Sequence, residues 1–334
     1  MRTSLQQLLA TRAIVLADGA TGTNYFEMGL TSGEPPEFWN VDHPQRVQSL
    51  HQRFVDAGAD IILTNTFGCN RSRLSLHNAQ DRTFELAKRA AELAGEVALN
   101  AKHGVVVAGA VGPTGELFTP LGELTHDAAV AIFQEQIEGL KAGGADVAWI
   151  ETMSAAEELQ AAAEAAINCD MPYVATCSFD TAGRTMMGML PEQLVGVFAT
   201  TPTAPLAVGA NCGVGASDIL VTLLAMTEHD STTAFVSKGN CGVPRFAGVD
   251  IVYSGTPDLM GEYAKLAMDA GARIIGGCCG TSPMHLASMR VAIDEYSAGE
   301  RPTYDTIIDV IGPLANQAPA PDAEPRSRRR RAHD

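Results

Sequence analysis

Short apolar runs alternate with longer segments of helical spacing along most of the chain. The eight apolar runs are residues 13–18, 60–66, 105–111, 147–151, 173–178, 206–211, 233–238 and 273–277. Apolar positions three and four apart predict helices at residues 46–57, 83–101, 128–142, 155–168, 217–227, 257–270 and 282–295. Continuous apolar strands that alternate with helices are typical of a parallel sheet covered by helices.

A similar link joins several of these helices to the next strand. Ala-Gly-Ala-Asp or a close variant occurs within residues 56–60, 142–146 and 269–273. Glycine at this place predicts the residue that closes each helix. Eight strand–helix units of about 30–40 residues predict a closed (β/α)8 TIM barrel. We expect the barrel domain to cover residues 1–312, with a short N-terminal helix at 4–11; a doubly wound open sheet is the alternative.

Composition and charge narrow the class of protein. The 334 residues are 46% hydrophobic and 19% charged, which is enough to build a large core. A formal net charge of −16 argues against binding to nucleic acid or to an anionic membrane surface. Residues 313–334 are rich in Pro, Ala and Arg and predict a disordered tail, whose arginine run we interpret as solvated. Without a signal-peptide or transmembrane pattern, a cytoplasmic location is expected.

The cysteines give the sharpest chemical signal. Seven cysteines in a cytoplasmic chain are not a disulfide scaffold. Cys278 and Cys279 are adjacent in a glycine-rich turn after the eighth apolar run, and Cys212 ends the sixth. Because the carboxyl ends of barrel strands share one rim, these three thiols predict a catalytic zinc site with one open position. The alternative is a phosphate-binding turn at 276–281, in an isomerase or aldolase barrel.

Three thiolates would give the metal site a particular chemistry. They make Zn²⁺ a soft site that favours a fourth sulfur ligand, and a metal-bound thiol loses its proton. This combination favours alkylation of a thiol substrate over hydrolysis. The other four cysteines are interpreted as buried small residues or bystanders, namely Cys69, Cys169, Cys177 and Cys241.

Six ordered motifs carry a resemblance to a known family. They are Asp-Gly-Ala-Thr-Gly-Thr at 18–23, Thr-Asn-Thr-Phe at 64–67, Val-Gly-Pro-Thr-Gly at 111–115, Ile-Glu-Thr at 150–152, Gly-Ala-Asn-Cys at 209–212 and Gly-Gly-Cys-Cys-Gly-Thr at 276–281. With these motifs the chain resembles the homocysteine S-methyltransferase family, and most closely its bacterial betaine–homocysteine methyltransferases. The resemblance covers residues 13 to about 299.

The resemblance implies a TIM barrel that holds zinc through Cys212, Cys278 and Cys279. It implies that homocysteine binds the metal through sulfur and that its amino-acid end meets Asp18, Gly19, Thr64 and Glu151. Asn240 matches an asparagine near the metal. From the residues alone, Asp18 could instead hold a turn, Glu151 could form a surface ion pair and Asn240 could be a turn former.

The methyl donor is the open part of the prediction. The resemblance favours glycine betaine, which would yield methionine and dimethylglycine. A quaternary ammonium is usually held by aromatic rings, but Gly68 and Thr152 stand where the vertebrate-type betaine enzymes carry aromatics. Trp39 is the leading substitute, and the other candidates are Tyr25, Phe26, Phe38, Phe67 and Phe118. A methyl-corrinoid protein or a sulfonium such as S-methylmethionine are the alternative donors.

Two further questions stay open at this point. A zinc or homocysteine sensor on the same barrel would keep the three cysteines without being an enzyme. The sequence does not decide whether the chain forms a homo-oligomer.

Overall fold

Eight parallel strands form the barrel. The computed structural model describes residues 2–242, 244–247 and 250–315. The strands of the described chain are β1 Val15–Leu16, β2 Ile61–Leu63, β3 Val106–Val111, β4 Val147–Met153, β5 Tyr173–Cys177, β6 Ala207–Cys212, β7 Phe235–Gly239, β8 Pro244–Ala247, β9 Asp250–Tyr253 and β10 Ala272–Gly277. Their order in the large sheet is β1-β10-β7-β6-β5-β4-β3-β2, and a parallel bridge between Ala17 and Ile61 joins its two edges. The predicted (β/α)8 barrel is confirmed.

Helices connect the strands and surround the barrel. They are α1 Leu5–Thr11, α2 Thr21–Glu27, α3 Trp39–Asp42, α4 Pro44–Asp56, α5 Arg71–Ser75, α6 Thr83–Asn100, α7 His126–Ala142, α8 Ala156–Asn168, α9 Ala216–His229, α10 Pro257–Asp269, α11 Pro283–Asp294 and α12 Tyr304–Ile311. Every predicted helix is present within two residues of its expected ends. No helix in the described ranges combines the length and apolar character needed to cross a membrane.

Local chemistry explains where the helices begin and end. The Ser4 and Gln7 side chains form a reciprocal cap on α1, and Thr256 accepts a hydrogen bond from the backbone N–H of Leu259 at the start of α10. The predicted closing glycines Gly58, Gly144 and Gly271 have φ angles of 98°, 87° and 99°. Only glycine adopts this left-handed region without strain.

Three features were not predicted. An antiparallel hairpin of β8 and β9 lies between β7 and α10. Between β5 and β6 the described chain forms the 3-10 turns Pro191–Gln193 and Val195–Phe198 in place of a long helix. Helix α12 packs against α9 and α10. The two hairpin strands, of four residues each, and the two 3-10 turns are too short to give a clear periodic signal, and helix α12 has only eight residues. Residues 316–334, most of the predicted tail, lie outside the described residues.

The barrel interior has an apolar lower layer, at the amino ends of the strands. Its members include Val15, Ile61, Val147, Val236 and Ile274, all buried, and the cluster extends to Leu5 and Leu8 of α1. Helix α1 therefore covers the lower opening. Arg273 fixes the end of α1 by donating to the carbonyl oxygens of Leu9, Arg12 and Ala13. Side chains two residues further along these strands face the upper end of the barrel.

Candidate metal and substrate site

The three predicted cysteines meet at the upper rim. Their Sγ atoms all lie within 4.8 Å of one another, and the Cys212 and Cys279 sulfurs are 3.9 Å apart. Zn–S bonds of about 2.3 Å in a tetrahedron require sulfurs about 3.8 Å apart. In the described part of the chain this is the only group of three side chains with metal-binding spacing. The cluster therefore fits a tetrahedral ion without rearrangement of the barrel.

Strand β6 presents Cys212 through an unusual backbone turn. Cys212 and Thr152 both have φ of 62°, a left-handed conformation that costs about 1–3 kcal/mol for a residue other than glycine. The Asn211 side chain joins the two turns: its Oδ1 accepts from the Thr152 N–H at 2.8 Å, and its Nδ2 donates to the Thr152 Oγ1 at 2.7 Å. This buried amide holds the end of β4 against the cysteine strand.

The turn that carries Cys278 and Cys279 requires glycine. A Cβ on Gly277 would lie 2.2 Å from Thr281 Cγ2. Gly280 has φ of 79°, and a Cβ there would lie 2.3 Å from Tyr253 Cγ. No side chain fits at either position, so the chain can fold back and aim two adjacent sulfurs at one point.

The backbone N–H groups of this turn are already used. Cys278 donates to the Gly239 oxygen at 2.8 Å, Cys279 to Asn240 Oδ1 at 3.0 Å, Gly280 to Thr23 Oγ1 at 3.2 Å and Thr281 to the Cys278 oxygen at 3.1 Å. A phosphate-binding turn needs free N–H donors. The alternative interpretation of 276–281 as a phosphate site therefore has no support in this geometry.

Asn240 links the two cysteine segments. Its Oδ1 accepts from the Cys279 N–H, and its Nδ2 donates to the Gly213 oxygen at 2.9 Å, next to Cys212. The side chain is buried, with 2% of the residue exposed. Both ends of the Asn240 amide are thus engaged by the protein, so the structure favours a positioning role for this predicted site residue over direct contact with substrate.

Close contact between the thiols redistributes their protons. Hydrogen bonding with Cys212 and then Cys278 lowers the pKa of Cys279 to about 3, and the Tyr253 hydroxyl adds a smaller lowering effect. Hydrogen bonding with Cys278 and Cys279 raises the pKa of Cys212. One sulfur is therefore readily charged while the others keep protons, and a cation at the centre would favour three thiolates. Tyr253 could not be found from sequence because the hairpin that carries it was not predicted.

Two predicted acids lie inside the barrel below the cysteines. Asp18 Oδ1 is 2.9 Å from the Lys238 ammonium, and Asp18 Oδ2 accepts from the Leu63 N–H at 2.7 Å. Both partners of this ion pair are buried, with side-chain exposures of 3% for Lys238 and 1% for Asp18. The Lys238 Nζ also lies 5.7 Å from the centre of the Trp149 ring.

Glu151 faces the same interior space, away from the outer surface. Burial raises its pKa to about 8, against the opposing effect of Lys238. No hydrogen bond to its carboxyl group occurs among the described residues. Among the described residues Lys238 donates a hydrogen bond to Asp18 and none to Glu151, so Glu151 is the acid without a direct cationic partner. Glu151 is thus the acid with free hydrogen-bonding capacity.

The Gly19 N–H and the Thr64 hydroxyl differ in whether they already have hydrogen-bond partners. A Cβ on Gly19 would lie 2.6 Å from the Thr281 oxygen, so glycine permits close packing against the cysteine turn. The Gly19 N–H has no partner among the described residues. The Thr64 hydroxyl instead contacts Thr66 Oγ1 at 2.6 Å and accepts from the Ala110 N–H at 3.0 Å. Gly19 offers a free donor, whereas the Thr64 hydroxyl is already occupied.

Trp39 is not brought to the cysteines by any described contact. It is 1% exposed, and its ring carries the Arg46 guanidinium at 4.8 Å and packs 5.2 Å from Tyr25, centre to centre. Its Nε1 donates to Glu34 Oε1 at 3.0 Å. A cation cage needs an open aromatic face, so this packing does not support the predicted role of Trp39. Phe26 and Phe67 are 54% and 42% exposed.

Comparison with known proteins shows the family of this chain. The family model described as Homocysteine S-methyltransferase matches residues 15–293. Methionine synthases of Mycobacterium leprae and Mycobacterium tuberculosis are each 29% identical over 90% of this chain. The chain spans 26%, about a quarter, of the length of these relatives.

Solved structures show the same fold. The Escherichia coli homocysteine methyltransferase MmuM, in its oxidized form, aligns with a TM-score of 0.72 at 23% identity, over 87% of this chain and 99% of that one. Its metallated form aligns with a TM-score of 0.71 at 23% identity, over 86% and 99%.

Proposed function

Because the chain belongs to the homocysteine S-methyltransferase family, we propose that it transfers a methyl group to the sulfur of homocysteine at a zinc ion held by Cys212, Cys278 and Cys279. The observation that carries this proposal is the spacing of three sulfurs within 4.8 Å of one another. We propose glycine betaine as the methyl donor, with methionine and dimethylglycine as products. A cytoplasmic location remains a prediction, and the oligomeric state is still an open question.

The metal would supply one piece of chemistry: it would keep the substrate sulfur as a thiolate at neutral pH. The protein would supply the rest. Three protein sulfurs leave one tetrahedral position for the incoming thiol. Glu151 has a free carboxyl group for the substrate ammonium, and the Gly19 N–H is a free donor for the substrate carboxylate. These partners would fix the substrate below the cysteines.

Methyl transfer from betaine balances without a base at carbon. An S–CH3 bond forms while an N–CH3 bond breaks, and its electron pair stays on the nitrogen of dimethylglycine. The reaction requires sulfur, methyl and nitrogen in line, with reacting atoms about 3–3.5 Å apart. The role of the protein is therefore alignment and exclusion of water from the upper barrel.

A methyl-corrinoid protein is the second candidate donor. Several apolar side chains on the loops after β2, β3 and β5 are exposed: Phe67 42%, Leu117 53%, Leu121 71% and Met186 72%. Such side chains suit contact with a macromolecule better than with a small zwitterion. The methionine synthases that match this chain are about four times longer than the matched part, which leaves room for further domains in those proteins. A sulfonium donor such as S-methylmethionine is the third candidate.

One experiment tests both function and donor. The wild type, Cys278→Ala and Cys241→Ala are compared for bound zinc by mass spectrometry. Methionine formation from homocysteine is then measured separately with betaine, a methyl-corrinoid protein and S-methylmethionine. We expect Cys278→Ala to lose zinc and methyl transfer. Its activity should fall by more than about 100-fold, which is the largest loss typical of changes to groups that only orient metal ligands.

Cys241→Ala is the matched control, because Cys241 is a buried thiol on the same rim that does not belong to the cluster. It should keep its zinc and its activity. Full activity of Cys278→Ala would reject the metal mechanism. Absence of methionine with every donor would reject the proposed function.

A further inference from the structure

Lys238 occupies a defined level inside the barrel. In the strand register it lies opposite Gly276 of β10 and Asn211 of β6. The next residue, Gly239, lies opposite Gly277 and Cys212, so Lys238 is one residue below the cysteine level. One residue along a strand is about 3.3 Å. The Lys238 side chain therefore belongs to the interior layer next to the cysteine turn, where its ammonium group lies 2.9 Å from Asp18 Oδ1.

Glu151 faces the same barrel interior as Lys238. Val236 and Trp149 both belong to the apolar interior cluster. Lys238 and Glu151 follow them by two residues on β7 and β4, so both side chains face the interior in the next layer up. The charge of Lys238 acts on both Glu151 and Asp18. Lys238, Asp18 and Glu151 thus form a group of one cation and two acids, which we call the floor of the upper barrel.

The three groups differ in the hydrogen bonds that they still offer. Asp18 accepts with both carboxylate oxygens, from Lys238 and from the Leu63 N–H. An ammonium has three N–H donors, and among the described residues Lys238 uses one of them, toward Asp18. The Glu151 carboxyl group has no hydrogen bond in the same part of the chain. The floor therefore offers one free acid and one partly free cation.

We propose that Lys238 binds the carboxylate of the thiol substrate while Glu151 binds its ammonium group. Lys238 thereby makes the site specific for thiols that carry both charges. The inference rests on the proposed function for the identity of the thiol. An amine thiol without a carboxylate would bring a positive charge toward Lys238 without the substrate carboxylate between the two cations, and their repulsion is strong in a poorly solvated interior. A carboxylate thiol without an amine would leave Glu151 unpaired.

Three thiols of similar length test this specificity. Binding of homocysteine, 3-aminopropane-1-thiol and 4-mercaptobutanoate to the zinc-loaded protein is measured by calorimetry. A charged hydrogen bond contributes about 1.5–3 kcal/mol, so each truncated thiol should bind the wild type about 10- to 100-fold more weakly than homocysteine. In Lys238→Met, the preference for homocysteine over 3-aminopropane-1-thiol should fall to about 2-fold or less. An unchanged preference would overturn the proposal.

Two further variants make the result decisive. Asp18→Asn/Lys238→Met removes the ion pair as a unit, so no buried carboxylate is left unpaired if the single variant fails to fold. It should also lose the preference for the carboxylate; a preserved preference would show that Lys238 is only a structural counterion. Lys265→Met removes an exposed lysine on α10 and should bind all three thiols as the wild type does.

The two proposals fail in different ways. If the wild type binds homocysteine but no donor yields methionine, the proposed function is rejected while the specificity of Lys238 is still measured by the binding ratios. If methionine forms and the ratios do not depend on Lys238, only the specificity proposal is rejected. A wild type that binds no homocysteine overturns both.

Discussion

The lower and upper halves of the barrel interior are built from the same strands but serve opposite purposes. On β4, Val147 and Trp149 lie in the apolar cluster and Glu151 lies above it; on β7, Val236 is followed in the same direction by Lys238. Two residues, about 7 Å along a strand, therefore separate an apolar layer that stabilises the fold from a layer of charged side chains at the proposed site. In a parallel barrel the position along the strand decides which task a side chain performs.

The two layers also differ in free-energy cost. The upper layer contains two left-handed residues other than glycine, a buried ion pair and three adjacent thiols. The lower layer contains tightly packed apolar side chains and the cover provided by α1. Such costs are tolerated where binding requires them, because the packed layer below stabilises the whole barrel.

The largest stability effect is expected from the lower layer. Ile61 is fully buried in the apolar cluster. Ile61→Ala should lower the free energy of unfolding by about 2–5 kcal/mol, because it removes buried methyl groups and leaves a cavity. Chemical denaturation measures this loss, and zinc content measures the site. Loss of zinc by the folded variant would contradict the separation of the two layers.

Glu151 should give a pH-dependent effect of intermediate size. Its pKa is raised from 4.5 to about 8, so the folded state binds more protons than the unfolded state between these values. The stability contributed by the bound proton is therefore fully present below about pH 4.5 and is lost as pH rises through 8. This loss lowers the free energy of unfolding by on the order of 2–4 kcal/mol. Glu151→Gln cannot titrate and should show a smaller decline in denaturation experiments at pH 5, 7 and 8.5.

The control for this prediction is Glu123→Gln, a change at an exposed glutamate on the loop after β3. It should follow the wild-type pH profile. Parallel profiles for Glu151→Gln and the wild type would mean that Glu151 is not a protonated acid in the folded protein.

Asn240 should give the smallest effect, and one confined to the upper layer. Asn240→Ala removes hydrogen bonds to the Cys279 N–H and the Gly213 oxygen. Changes to groups that orient metal ligands typically weaken metal binding about 10- to 100-fold. Competition with a zinc chelator measures this shift, with Asn100→Ala on the exposed end of α6 as control. Equal zinc affinity in both variants would leave Asn240 as an ordinary turn residue.

Much of the fold and the cysteine cluster could be predicted because their signals are local or follow from one general rule. Apolar periodicity identified eight strands and seven helices, with helix ends within two residues. Because the carboxyl ends of parallel barrel strands share one rim, Cys212 could be predicted to lie near Cys278 and Cys279, which are 66 and 67 positions later in the sequence. The hairpin that carries Tyr253 was not predicted, because strands of four residues give no clear pattern of apolar and polar positions.

The alternation of strands and helices, the order of the motifs and the cysteine set can all be obtained from the amino-acid sequence. The polar groups that already have hydrogen-bond partners can be identified only in the folded barrel. Lys238 pairs with Asp18 from 220 positions away, the Thr64 hydroxyl is occupied by its neighbours, and the Trp39 ring is covered by Arg46. The physical reason is that hydrogen bonds and ion pairs depend on the register and facing of strands distant in sequence, whereas periodicity depends on near neighbours alone.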